Sequence, residues 1–367
     1  MLNSRGAETS QSDTNLIAEN EPLWTESMLW DKQIALWSGV GYNDNVLLSP
    51  FNPRQSAFSI NGLDLMVLRV PLDGWQIVGS IVGDDIRYWR NVGTNSEDSF
   101  LSTLRVQRLL PDGWRLGLEL RGVFEKQVLD ISTLVSMPET ALVEGFGFTV
   151  QPSIRKDFPL ALWLQLEMPY THWYLQSPLD AYWEYGPVVT LGHDFGKYAD
   201  VTLSYGASYQ YHSEWVALDA YGRPLPQHLE ISQRRAELAW HQYWDSHRHW
   251  RSSTRLVFAY DHDNGGGYFN YYQYQAIEDL RWQSANWQIK AGAQWVDEIY
   301  PIQGVGILNG EILARRLADL SLEVERRLYK ELKGFGKFDY QQAQSNYAFN
   351  AGDYTARTVT FGLRWEF

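Results

Sequence analysis

The sequence predicts an all-β chain that closes into a transmembrane antiparallel β-barrel of about 16 strands, spanning residues 33–367. Two observations predict this class. From about Gln33 onward apolar and polar residues alternate with the period of a strand, and between the strands short turns alternate with longer loops. The composition agrees, because 15% of the 367 residues are aromatic although the mean hydropathy is −0.37. A barrel wall is apolar on its lipid side alone, so it needs no long apolar segment.

The clearest alternation lies in the segment that begins at Trp114. One set of alternate residues is Trp114, Leu116, Leu118, Leu120, Gly122 and Phe124. The other set is Arg115, Gly117, Glu119, Arg121, Val123 and Glu125. Successive side chains of a strand point to opposite faces, so one face suits lipid and the other suits water. The same pattern recurs at 146–155, 162–171 and 201–212.

The connections between these strands are of two kinds. The short turns lie at 72–74, 111–113, 156–159, 194–197, 245–248, 284–286 and 329–331. The longer loops lie at 43–55, 86–98, 126–143, 175–180, 213–227, 262–269, 298–310 and 346–354. Strict alternation places all short turns at one end and all longer loops at the other. This arrangement, with an even number of strands, predicts short periplasmic turns and longer extracellular loops.

Aromatic residues mark both ends of the predicted strands. Four tryptophans each begin a strand directly after a short turn: Trp75, Trp114, Trp250 and Trp287. Tyrosines lie near the opposite ends: Tyr170, Tyr174, Tyr209, Tyr211, Tyr272 and Tyr274. Two such girdles bound the apolar band of a membrane barrel.

The last strand carries a resemblance to a known class of proteins. One of its faces consists of Val359, Phe361, Leu363, Trp365 and Phe367. This alternation, ending in a terminal phenylalanine, resembles the last strand of Gram-negative outer-membrane β-barrel proteins, including porins. The resemblance implies an integral protein of the outer membrane, in contact with its lipids. It also implies that these five residues form the signal recognised by the barrel assembly machinery.

A second similarity lies where the first strand meets its loop. The segment Gly41-Tyr42-Asn43-Asp44-Asn45-Val46 is similar to several barrel families linked to export of polysaccharide or of surface lipoproteins. A polar turn rich in Asn and Asp produces the same pattern. Both interpretations stay open at this point.

Charge and composition exclude several classes of protein. The net charge of −13 disfavours a nucleic-acid partner, because the phosphate backbone would be repelled. The chain has no cysteine, which excludes disulfides, thiolate nucleophiles and Cys-ligated zinc. Residues 1–32 are acidic and are predicted to be a flexible segment before the barrel. No cofactor is predicted.

Three short segments contain residue types that catalysis or metal binding would need. The first is His212-Ser213-Glu214, at the end of a strand that runs towards the longer loops. The second is Asp245-Ser246-His247-Arg248-His249, which forms a turn too tight for a nucleophile, a base and an orienting group to meet. Asp261-His262-Asp263-Asn264-Gly265 begins like a calcium loop, but Tyr272 occupies the position that needs a bidentate Glu. The sequence therefore predicts neither an enzyme nor a metal site.

The inward face is the surface that can carry function. The residues predicted to line the lumen are Arg105, Arg115, Glu119, Arg121, Glu125, Arg155, Glu167, Arg235, Glu237, Arg255, Asp279, Arg281, Lys290 and Arg364. A barrel of this size ordinarily leaves an aqueous channel. We therefore expect a conduit for hydrophilic solutes or for an exported polymer. Arg105, Arg115 and Arg121 are expected to lie close together and to produce a local positive field, which Glu119 and Glu125 offset in part.

The alternative is a barrel that belongs to a secretion or surface-assembly complex. Such a barrel would act with a periplasmic or surface protein partner. Both alternatives share the fold and differ in what the lumen and the loops bind.

The terminal signal gives the first testable prediction. Deleting Phe367, or replacing it with a charged residue, should sharply lower the amount of assembled barrel in the membrane. Heat-modifiable migration on gels and membrane yield measure this amount. Normal migration and yield of the variant would show that the assembly machinery does not need this residue.

Overall fold

The computed structural model describes residues 30–70, 73–131, 140–304, 311–347 and 352–367. Within these residues the chain forms one antiparallel sheet whose neighbouring strands follow the sequence order. The first nine segments are β1 (Trp30–Asn43), β2 (Ser56–Arg69), β3 (Trp75–Tyr88), β4 (Ser96–Leu109), β5 (Trp114–Asp130), β6 (Thr140–Asp157), β7 (Leu162–Glu167), β8 (Tyr170–Leu175) and β9 (Tyr182–Tyr185). The other nine are β10 (Val188–Phe195), β11 (Ala199–Leu218), β12 (Pro224–Tyr243), β13 (Trp250–Asp263), β14 (Tyr271–Gln283), β15 (Trp287–Gly304), β16 (Ile312–Tyr329), β17 (Leu332–Ser345) and β18 (Tyr354–Glu366).

Two of the membrane crossings are divided by proline. β7 and β8 meet at Met168-Pro169, and β9 and β10 meet at Gly186-Pro187. Proline has no N–H to give to the sheet, so the ladder is interrupted there. The two divided crossings pair with each other, and the amide of Gly186 donates to the carbonyl of Pro169 at 3.4 Å. The eighteen segments therefore make sixteen crossings, and the predicted fold class is confirmed.

The barrel closes by pairing its first strand with its last. β1 and β18 run antiparallel from Ala35 opposite Glu366 to Asn43 opposite Thr358. The amide of Phe367 extends this pairing by donating to the carbonyl of Ile34 at 2.8 Å. Closure leaves no sheet edge exposed to lipid, where an unpaired backbone group would be strongly unfavourable.

Exposure follows the predicted alternation of faces. Leu118 is 41% exposed on the outside of β5, whereas the next residue, Glu119, is 6% exposed inside the barrel. The aromatic face of β18 also points outward, with Phe367 at 64% exposure. Near the short turns, cationic side chains lie over the girdle tryptophans, as Arg108 does over Trp75 at 4.9 Å. The structure thus has the apolar outer wall of an integral membrane barrel.

Several element boundaries differ from the predicted ones. β1 begins at Trp30, before the predicted start at Gln33, and residues 1–29 of the predicted acidic segment lie outside the described residues. The predicted loop 213–227 is mostly strand, because β11 runs to Leu218 and β12 begins at Pro224. Strands that continue beyond the bilayer need no apolar face, so their sequence loses the alternation that identifies them. Among the described residues no helix is long and apolar enough to cross a membrane.

The outward position of Leu118 gives the second prediction. Leu118→Arg should lower the free energy of unfolding by roughly 2–4 kcal/mol if its side chain lies near the bilayer midplane, because a charge is then exposed to lipid. Gln107→Arg is the matched control, since Gln107 is on the inner face of β4 and pairs with Gly117. Urea unfolding in lipid vesicles measures both. Equal destabilisation by the two variants would contradict the assignment of faces. Greater destabilisation by Gln107→Arg would invert it.

Candidate functional site

A continuous cavity of about 1280 Å³ occupies the middle of the barrel. It runs from Gln33 and Gln283, near the short turns, to Val46 and Leu48 in the loop between β1 and β2. Its acidic lining residues are Asp64, Glu97, Glu184, Asp279, Asp319, Glu323, Glu325, Asp339 and Glu366. Its basic lining residues are Arg235, Arg251, Arg255, Arg281, Lys290, Arg327, Lys333, Lys337 and Arg364. The lining is therefore polar and balanced in charge.

The residues predicted to line the lumen fall into two groups. Six of them line this cavity: Arg235, Arg255, Asp279, Arg281, Lys290 and Arg364. The other eight lie on the inner face of their strands but outside the cavity lining: Arg105, Arg115, Glu119, Arg121, Glu125, Arg155, Glu167 and Glu237. Most residues of the second group make ion pairs or hydrogen bonds with neighbouring side chains along the wall.

Arginines of β4 and β5 share a carboxylate as their ion-pair partner. Both Arg105 and Arg121 donate to Glu119, each through Nη2 at 2.6 Å. Arg115 and Arg155 share Asp157 in the same way, each at 2.7 Å. The positive field predicted at Arg105, Arg115 and Arg121 is therefore reduced but not cancelled, because each of the two carboxylates is shared by two arginines.

Other predicted residues make local hydrogen bonds on the wall. Glu167 accepts from Gln151 at 2.7 Å and from Gln165 at 2.8 Å. Arg235 donates to Glu237 at 3.0 Å. These contacts hold the side chains flat along the sheet.

The loop between β1 and β2 covers the outer end of the cavity. Leu48 packs in a buried cluster with Val128 of β5, Ala343 of β17 and Tyr354 of β18. Because β5 and β17 lie on opposite sides of β1 and are not adjacent to it, the loop reaches across the lumen. We call residues 44–55 the outer cap.

Two features hold the outer cap in place. The Asn45 side chain donates to the carbonyls of Ser49 and Thr355, each at 3.0 Å. Thr140 of β6 donates to the Leu47 carbonyl at 2.9 Å. Leu48 has φ of 50°, a left-handed conformation that leucine rarely adopts. Strained backbone of this kind persists where surrounding contacts determine it.

A buried ion pair crosses the lumen at the same end. Arg315 of β16 donates to Asp130 of β5, although these strands are far apart in the sheet. Arg315 also lies 3.8 Å from Glu298 of β15, which accepts from the fully buried Tyr300 hydroxyl at 3.2 Å. Asp130, Glu298 and Arg315 were not predicted as site residues, because two lie in segments predicted as loops and their pairing is not local in sequence.

The segment His212-Ser213-Glu214 is part of the packing at the outer end. The Asp180 carboxylate accepts from the amides of Glu214 and Trp215, both at 2.9 Å. The His212 ring stacks on Trp215 with 5.3 Å between ring centroids. Trp215 packs against two buried apolar clusters, one around Val143 and one around Leu229. Trp215 therefore connects these two apolar clusters at the outer end of the barrel.

The segment that begins like a calcium loop is ordered by its own backbone. The Asp263 carboxylate accepts from the amides of Gly265 at 2.8 Å, Gly267 at 3.0 Å and Phe269 at 2.6 Å. These amides occupy the oxygens that a cation would need. Within the described ranges, no group of His, Asp and Glu could hold a metal ion.

The turn at 245–249 is a capped hairpin connection. Asp245 accepts from the Trp250 amide at 3.0 Å and lies 3.0 Å from His249 Nδ1. The amide hydrogen bond lowers the pKa of Asp245. In another short turn, a hydrogen bond from Arg69 lowers the pKa of Asp73 to about 2. Both carboxylates stabilise turns in their charged form.

The closed sheet, the apolar outer wall with its aromatic girdles and the polar lumen define the class of this protein. It is an integral β-barrel of the Gram-negative outer-membrane type.

No family model matches the sequence, and no curated protein matches it. The chain is similar to several solved structures at low identity. OccAB3 from Acinetobacter baumannii is 7% identical, with a TM-score of 0.48, over 92% of this chain and 99% of that one. The anion-selective porin from Comamonas acidovorans is 10% identical, with a TM-score of 0.46, over 92% and 99%. A bacterial polysaccharide outer membrane secretin is 9% identical, with a TM-score of 0.43, over 92% and 98%.

The cross-barrel ion pair gives the third prediction. Arg315→Met should destabilise the barrel by about 3–5 kcal/mol, because it leaves two buried carboxylates without their cation. The neighbouring Arg316→Met is the control: Arg316 is 54% exposed, pairs with Asp297 at 2.9 Å, and should cost less than about 1 kcal/mol. The midpoint of heat-modifiable unfolding in detergent compares the two variants. Similar midpoints would mean that the Arg315 pair does not stabilise the outer end.

Proposed function

We propose that this chain is a porin-like outer-membrane channel for hydrophilic solutes or for an exported polymer, closed at its outer mouth by the outer cap. The observation that carries the proposal is the continuous polar cavity of about 1280 Å³ along the lumen. A purely structural barrel of this size would gain stability by filling its interior with packed side chains. A charged and amide-rich lining instead keeps water, which is the medium that a hydrophilic solute needs.

The outer cap supports a channel that opens and closes. The cap places the apolar side chains of Leu47 and Leu48 at the end of an otherwise polar lumen, and an apolar constriction opposes the passage of water and ions. The cap is one loop joined to the wall by a few hydrogen bonds and one apolar cluster. It can therefore move without disrupting the sheet.

The same closure gives specific support to the second candidate, a barrel of a secretion or surface-assembly complex. In that case a periplasmic or surface protein would displace the cap. The cap begins within the segment Gly41–Val46, for which the resemblance to export-linked barrels and a plain polar turn are both open interpretations. The two candidates differ in whether the isolated barrel conducts.

Conductance in planar bilayers tests the proposal and is the fourth prediction. We expect the native protein to be closed for most of the time and Leu47→Ser/Leu48→Ser to be open for a larger fraction, because the apolar contacts that hold the cap are weakened. Phe51→Ser is the control, since Phe51 is in the same loop but 71% exposed.

The outcomes separate the candidates. A folded double variant without conductance would overturn the channel and leave the partner-dependent barrel. A native protein that is permanently open, with no change in the double variant, would show that the cap does not close the lumen.

A further inference from the structure

Three cations lie side by side on the inner wall, near the short turns. Arg251 of β13 is directly opposite Arg281 of β14, and Arg281 is directly opposite Lys290 of β15. All three line the central cavity. Like charges directly opposite each other in a sheet repel and destabilise it. We call Arg251, Arg281 and Lys290 the basic row.

The wall compensates this row only in part. Lys290 pairs with Glu323 at 2.8 Å. Arg281 donates through Nη2 to the neutral Gln283 at 2.9 Å, and its Nε is buried without a hydrogen-bond partner. Among the described residues, neither Arg251 nor Arg281 makes an ion pair within 4.0 Å. Asp279 lies on the same face of β14 and is the nearest acidic residue along that strand.

The adjoining wall also has cations directly opposite one another, at Arg327, Lys333 and Arg364, but two of these three have acidic partners. Lys333 pairs with Glu366 at 2.5 Å, and Arg364 pairs with Asp64 at 3.0 Å. Lys337 likewise pairs with Asp339 at 3.0 Å. The lining is thus neutral as a whole, but among the described residues three of its four cations on β16–β18 make ion pairs, against one of its four on β13–β15.

Neighbouring groups add hydrogen-bond donors beside the basic row. Arg255 follows Arg251 on the same face of β13, and its Nε is also buried without a partner. The side chains of Ser253 and Gln288 line the same part of the cavity. Guanidinium groups match the planar geometry of carboxylate and phosphate oxygens.

We propose that the basic row binds an organic anion that carries two or more carboxylate or phosphate groups. Adjacent strands lie about 4.8 Å apart, so the row spans roughly 10 Å, and a ligand with several anionic groups meets more than one cation at once. The row is near the short-turn end, so the ligand reaches it without passing the outer cap. The inference goes beyond the proposed function and names the solute class if the barrel is a channel.

Isothermal titration of the full chain in neutral detergent at low salt tests the site and is the fifth prediction. The probes are citrate, pyrophosphate and glucose. We expect citrate and pyrophosphate to bind, with affinity falling as salt rises, and glucose not to bind. Arg251→Gln/Arg281→Gln should weaken citrate binding by about tenfold or more, since two charge-assisted contacts are lost.

A matched pair of variants controls for charge and folding. Arg108→Gln/Arg326→Gln removes the same charge near the same end of the barrel but from the outer face, where these arginines lie over Trp75 at 4.9 Å and over Trp287 at 5.0 Å. Its citrate affinity should be unchanged. Arg251→Lys/Arg281→Lys retains the charge and should restore part of the affinity. Heat-modifiable migration verifies that each variant is folded.

These experiments test the anion site independently of the proposed channel function. Equal citrate affinity in the native protein and the folded Gln double variant would overturn the site, as would equal binding of glucose. Citrate binding by the native protein together with no conductance of the folded Leu47→Ser/Leu48→Ser variant would keep the site and overturn the channel. Conductance without citrate binding would keep the channel and overturn the site.

Discussion

The whole structure depends on pairing every backbone amide and carbonyl inside the bilayer. Lipid offers no hydrogen bonds, so a sheet in a membrane has to close on itself. Here the closing contact joins β1 to β18, and the amide of Phe367 completes it with Ile34. The two prolines that divide a crossing lie in adjacent crossings that pair with each other, so both interruptions fall in the same part of the wall. The terminal strand therefore closes the barrel, and it is also the strand expected to carry the assembly signal.

Closure of the wall creates an interior in which charges have to find partners. The charges on the inner face are paired in different ways in different parts of the wall. On β4 and β5 a buried carboxylate lies between two arginines, and the resulting cluster is self-contained. On β16–β18 acids and bases pair across strands. On β13–β15 the cations outnumber the acids that meet them. The last sector is where a ligand would stabilise the wall.

The outer end of the lumen differs from the rest, because there the chain fills the interior. An apolar cluster, a cross-barrel ion pair and a strained leucine meet at one level. Contacts between non-adjacent strands oppose any widening of the barrel, so closing the mouth also stiffens it. In the proposed channel a solute would have to displace the cap, whereas the basic row lies towards the other end of the cavity.

The sequence by itself determined the all-β class, the number of crossings and the face of each residue in the apolar band. These follow from a period of two and from turn chemistry, which are local properties. It also indicated the inward position of Glu119, Arg281 and Lys290. It did not determine where strands continue beyond the bilayer, as at Leu218, because lipid no longer imposes alternation there. Only the tertiary structure decided which charges are paired, since the contact of Arg105 with Glu119 and the position of Arg281 between two other cations depend on cross-strand register. Only the tertiary structure, too, brought Asp130 to Arg315 and Leu48 to Ala343, because contacts across a lumen join residues that no local pattern relates.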